Sequence, residues 1–125
     1  MTYITVAIYA VPNANKDAFI EHAKALTPLF VKHGALTAVD AWGDDVPDGD
    51  VTSFPMAVKC KPDETVAYSH VTWPDKATHD ASMEKVMAAM QAASTDNPMP
   101  FDGQRMIFAS FDTVFDACSE GGTSG

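Results

Sequence analysis

Apolar and polar residues alternate from the start of the chain. Across residues 2–11, Ile4, Val6, Ile8 and Ala10 fall on one side and Tyr3, Thr5, Ala7 and Tyr9 on the other, the period of a strand. The period then lengthens. Phe19, Ala23, Leu26 and Phe30 recur at helical spacing, with Lys16, Glu21, Lys24 and Lys32 around the other side. Asn13 or Asn15 is suited to cap this helix, and His33-Gly34 to end it. Pro28 falls inside it and removes a backbone hydrogen bond, so a kink or a break into two helices is expected there. Further strands are predicted over residues 35–42, 53–60, 65–73 and 105–115. The second of these is short, with Pro55 marking an edge or a start. Pro74 stops the 65–73 strand. Asp75 then caps a helix running to about residue 93, whose apolar stripe is Met83, Val86, Met87 and Met90.

The predicted order is β-α-β-β-β-α-β. With the short 53–60 strand set aside it becomes two β-α-β halves, the ferredoxin-like split arrangement. The expected fold is therefore α+β: an antiparallel sheet with two helices on one face. The opposite face also needs burial. A second copy of the chain is the usual solution, which makes the expected assembly a homodimer, a dimeric α/β barrel. Residues 1–118 are expected to form one domain. Residues 119–125, small and polar, read as a flexible tail.

Charge and composition narrow the function classes. The chain has 125 residues, 46% of them hydrophobic, and a formal net charge of −9. Its seven lysines are scattered and Arg105 is its one arginine. Nucleic acid and anionic membrane need clustered cations, so neither is an expected partner. No apolar run approaches the ~18 residues of a membrane span, and residues 1–11 lack the basic start and apolar stretch of a signal peptide. The expected location is the cytoplasm. There Cys60 and Cys118 stay reduced, with Cys60 read as a small buried residue.

Strand alternation supplies the candidate chemistry. If Ile4, Val6, Ile8, Val39 and Ala41 face the helices, then Tyr9, Asp40, Trp42, Tyr68 and His70 line the open sheet surface. Aromatic walls with a carboxylate and an imidazole suit a small-molecule pocket, with Asp40 or His70 as general acid or base and Tyr9, Trp42 and Tyr68 as walls. The same residue types also make ordinary dimer interfaces, although a carboxylate facing a buried interface is costly unless paired. His22, His33 and His79 border helix stripes and read as packed or surface groups. Asp44, Asp45, Asp48 and Asp50 form an acidic loop read as a solvated turn, so no metal and no cofactor is expected. HExxH, GxSxG, P-loop and GxGxxG motifs are absent.

Three segments carry a family resemblance: Trp42-Gly43-Asp44-Asp45-Val46-Pro47-Asp48-Gly49; Thr52-Ser53-Phe54-Pro55 with Ala57-Val58-Lys59; and Met99-Pro100-Phe101-Asp102-Gly103 with Arg105-Met106-Ile107. Together they resemble the bacterial YbaA-like family of the dimeric α/β-barrel superfamily, over residues 3–116. The resemblance implies a ferredoxin-like protomer whose sheet packs on that of a second copy. It implies no established activity. Asp40, Asp44, Asp45, Asp102 and Arg105 fall on family positions. His70, Trp73, Met56 and Pro28 depart from the family pattern. Asp102-Gly103 is a turn signal, and Arg105 is suited to pair with an acidic residue and hold two loops together. The leading expectation is a dimeric small-molecule-binding protein, extended to a cofactor-independent enzyme if Asp40 or His70 is catalytic. The alternative is a non-catalytic interaction or regulatory module whose sheet face only dimerises.

Overall fold

The computed structural model describes residues 2–94 and 98–117. Four strands form one sheet: β1 (Tyr3–Pro12), β2 (Thr37–Trp42), β3 (Glu64–Trp73) and β4 (Ile107–Asp112). Their order is β2-β3-β1-β4, with every neighbouring pair antiparallel. Between the strands run α1 (Lys16–Leu26), α2 (Pro28–Lys32), α3 (Phe54–Ala57) and α4 (Lys76–Ala93). This is the ferredoxin-like arrangement, with β1 and β3 at the centre and β2 and β4 at the edges. The expected tail and Cys118 lie outside the described residues.

Pro28 divides the first helical stretch. α1 ends at Leu26 and α2 begins at Pro28, flanking Thr27, whose own dihedrals stay helical. Proline is tolerated at this first position because it has no N–H to satisfy. Gly34, with φ +120°, ends α2 in a conformation that side chains rarely adopt. At α4, the Asp75 carboxylate accepts the Thr78 N–H at 2.7 Å, which fixes the start as the sequence indicated.

Two expectations change. Residues 53–60 form no strand. Ser53 Oγ accepts the Met56 N–H and caps the single turn α3, with Pro55 inside its first turn. The asparagines before α1 do not cap it. Instead, the Asn13 side chain accepts from the Thr65 hydroxyl and Asn15 Nδ2 donates to the Pro100 carbonyl, so both tie loops together.

The core lies mainly between sheet and helices. Tyr9, Val11 and Ala67 pack with Phe19 of α1, and Val71 and Trp73 with Ala35 and Val86 of α4. A smaller cluster on the opposite face joins Ala10 and Val66 to Val58 from the β2–β3 connection. That connection therefore covers one end of the second face. Gly43 permits the approach, since a Cβ there would meet the Val66 carbonyl oxygen at 2.6 Å.

Candidate functional site

Cross-strand partners share a face, so the register decides where each candidate points. Tyr9 pairs with Ala67 and Trp42 with Ala67, while Asp40 pairs with Ser69. Ala67 belongs to the helix-side core. Tyr9, Asp40 and Trp42 therefore face the helices and not the open surface. This corrects the face assigned to β1 and β2. The reason is that both sides of β1 are apolar, so alternation alone leaves its facing undecided. Tyr68 and His70 lie on the open face as expected.

The five expected site residues thus form two groups. In the first, the Ser69 hydroxyl donates to Asp40 Oδ1 at 2.8 Å and the Thr27 hydroxyl donates to Oδ2 at 2.5 Å. Because Ser69 donates to the carboxylate, it accepts from the Tyr9 hydroxyl, 2.5 Å away. Burial first, and then the Asp40 charge, push the Tyr9 hydroxyl well above its ordinary pKa, so it remains a donor. Phe101 stacks on Tyr9 at 4.3 Å between ring centroids, and Phe19 packs against both Tyr9 and Trp42. Lys16 Nζ lies 5.4 Å from the Trp42 ring centroid. Both Asp40 oxygens are taken by protein donors, so the group joins the helix break at Thr27 to β2 and β3. Ser69 and Thr27 were not singled out from the sequence. A serine on the core-facing side of β3, between Ala67 and Val71, is the signal that marks such a partner.

The second group is on the open face, where the residues form three rows across the sheet. Val39, His70, Val6 and Ala109 make the central row. Thr37, Thr72, Ile4 and Phe111 lie to one side, and Ala41, Tyr68, Ile8 and Ile107 to the other. His70 occupies the middle of this largely apolar grid, its ring meeting Tyr68 edge-on at 5.4 Å. Its Nδ1 is buried and has no hydrogen-bond partner. Beside it is a cavity of about 230 Å³, lined by Ile4, Tyr68, His70 and Thr72 and by Thr113, Phe115 and Asp116 beyond β4. Thr113 is tied to Thr2 by its N–H, 3.0 Å from the Thr2 carbonyl, and by hydroxyls 2.6 Å apart.

Arg105 makes a third constellation. Its Nη1 and Nη2 each donate to one oxygen of Glu64 at 2.7 Å, its Nε donates to Asp102 at 3.1 Å, and Nη1 also donates to the Lys59 carbonyl. Glu64 is nearly buried, and the Arg105 guanidinium holds its carboxyl down at about 2. Asp102 accepts the Gln104 N–H, and this bond, with Arg105, lowers its pKa. Glu64, Asp44, Asp48 and Cys60 line a second, open cavity of about 520 Å³ at the end of the sheet. The Cys60 thiol is free and half-buried, and burial pushes its pKa up. Among the described residues, no three His, Cys, Asp or Glu side chains stand close enough to hold a metal ion. Of the remaining histidines, His79 is packed edge-on against Tyr3 and Trp73 and bonds Asp80 at 2.8 Å.

The fold and the two-faced sheet place the protein in the ferredoxin-like class. A solved dimeric ferredoxin-like protein from an uncultured marine organism has the same fold, with a TM-score of 0.52 and 15% identity over 93% of this chain and 96% of that one. The chain belongs to the family described as protein of unknown function (DUF1428), whose profile matches residues 2–103. It is 42% identical over 116 residues to the uncharacterized protein YbaA of Escherichia coli K12, covering 93% of this chain and 99% of that one. YbaA of Shigella flexneri is equally similar. Among the described residues, no helix is long and apolar enough to cross a membrane.

Proposed function

We propose that the chain is a homodimeric small-molecule-binding protein whose two open sheet faces pack together around a pocket at His70. The observation that carries this reading is the buried, unpartnered His70 Nδ1 on an apolar sheet face beside a cavity. Buried polar groups are hydrogen-bonded in nearly all native structures, so one that is not calls for a partner. Val39, Ile107 and Phe111 on the same face are 40%, 43% and 55% exposed in the single chain. A contiguous apolar surface of this kind marks an interaction site. The solved ferredoxin-like protein is described as dimeric, which supports a dimer here.

Of the two residues the sequence offers as general acid or base, Asp40 and His70, His70 is the one on the open face beside the cavity. It is the imidazole on this face, a side chain that can give or take a proton, which also suits it to acid–base chemistry. Asp40 acts from the other side of the sheet as a structural acceptor. Nucleic acid and anionic membrane remain unsuited partners: the net charge is −9, and Arg105 is committed to Glu64 and Asp102.

Native mass spectrometry of freshly purified protein tests the reading. A dimer carrying dissociable extra mass, lost in His70→Leu, is the expected result. A bare dimer in both proteins would favour the alternative, an interaction module whose sheet faces only dimerise.

A further inference from the structure

Resting on that reading of the pocket, we infer that its ligand class is a small organic cation, an amine carried on an apolar body. The lining residues decide the charge. No lysine or arginine is among the described residues around the cavity, while Asp116 contributes a carboxylate. An anion there would face the Asp116 carboxylate and lose its water with no lysine or arginine to pair with, which is costly. A carboxylate accepts hydrogen bonds and cannot donate them, and a neutral imidazole offers one further acceptor. The site is thus richer in acceptors than in charged donors. It matches a ligand that donates N–H bonds and carries positive charge.

The walls decide the body. Tyr68 and Phe115 present aromatic rings and Ile4 an aliphatic side chain. Aromatic faces attract cations as well as apolar groups, so rings beside a carboxylate are a recurring way to hold an ammonium ion. The Thr113–Thr2 bonds fix the chain leaving β4 against the start of β1, and Phe115 and Asp116 follow two and three residues on. The overall charge of −9 adds a field that concentrates cations near the surface.

The test uses three probes of one shape and different charge: benzylamine, benzyl alcohol and benzoate. Each is titrated into the intact protein, with the His70 imidazole resonances as the readout. Benzylamine is expected to bind about tenfold or more tighter than benzyl alcohol, a difference of about 1.4 kcal/mol. Benzoate is expected to be weakest. Asp116→Asn, at an exposed position outside the sheet, should bring benzylamine and benzyl alcohol to equal affinity. If benzoate binds as well as benzylamine, or if Asp116→Asn leaves their order unchanged, the cationic class is wrong while the pocket stands. If none of the three moves the His70 resonances, the pocket itself falls, and the inference with it.

Discussion

Asp40 accepts two hydroxyl hydrogen bonds from different elements, Thr27 at the helix break and Ser69 on β3. Removing the carboxylate leaves the Thr27 and Ser69 hydroxyls without their acceptor. Asp40→Ala is expected to cost roughly 2–3 kcal/mol, since bonds to a charged acceptor are worth about 1.5–3 kcal/mol. Urea unfolding measures it, and Asp40→Asn, which keeps one acceptor oxygen, should cost less. Wild-type stability with Asp40→Ala would remove the structural role assigned here. Glu64 offers a second test at this scale. Its folded pKa of about 2 lies below the ordinary 4.5, so its pairing with Arg105 stabilises the fold fully above about pH 4.5. That stabilisation is lost as pH falls through about 2. In Arg105→Met the carboxylate keeps the Lys61 N–H but loses its charged partner, so the stabilisation gained between about pH 2 and 4.5 should shrink. Denaturant midpoints for both proteins across that window show whether the wild-type slope flattens in the variant.

The elements were legible where a local signal had no rival. Asp75, a single proline before it and a methionine–valine stripe gave α4, and Pro28 gave the division between α1 and α2. Residues 53–60 resemble a strand in sequence because Phe54, Met56 and Val58 alternate as a strand would. The serine that caps the turn is recognisable only once its hydroxyl is seen on the Met56 N–H. The facing of β1 is equally open to either reading in the sequence. A central strand apolar on both sides has no polar side to orient it, and Ile4, Val6 and Ile8 look as core-like as Ala7, Tyr9 and Val11. Pairing with Ala67 and Ser69 settles the facing, and pairing is a long-range property that no local window contains. The close approach at the end of β2 has its own consequence. Gly43→Ala places a methyl 2.6 Å from the Val66 carbonyl oxygen, so the backbone must move. A loss of about 1–3 kcal/mol is expected, as for other overpacked sites, readable as a lower thermal midpoint.

At the scale of the molecule, α1 and α4 cover one sheet face over β1 and β3, leaving Phe108 of β4 exposed, and the other face is covered only at one end, by the β2–β3 connection. The candidate site was half legible for the same reason. Tyr68 and His70 were placed on the open face from β3 alone, because Ala67 and Val71 mark its inner side clearly. Tyr9, Asp40 and Trp42 depended on the undetermined facing of β1 and β2. Phe115 and Asp116 line the cavity from beyond β4, which ends at Asp112 and not at residue 115 as the sequence suggests. What remains on the open face is a grid of Val, Ile, Ala and Phe around His70, which one protomer leaves partly exposed to water.

That exposed grid makes the assembly state the decisive quantity. Light scattering coupled to size exclusion, on the wild type and on a Val39→Asp, Phe111→Asp double variant, measures it directly. Both positions are at least 40% exposed in the single chain, so the variant should keep its fold, checked by circular dichroism. The expected result is twice the chain mass for the wild type and a single chain mass for the folded variant. A monomeric wild type, or a variant that remains dimeric, would contradict the packing of two open faces on which the proposed site depends.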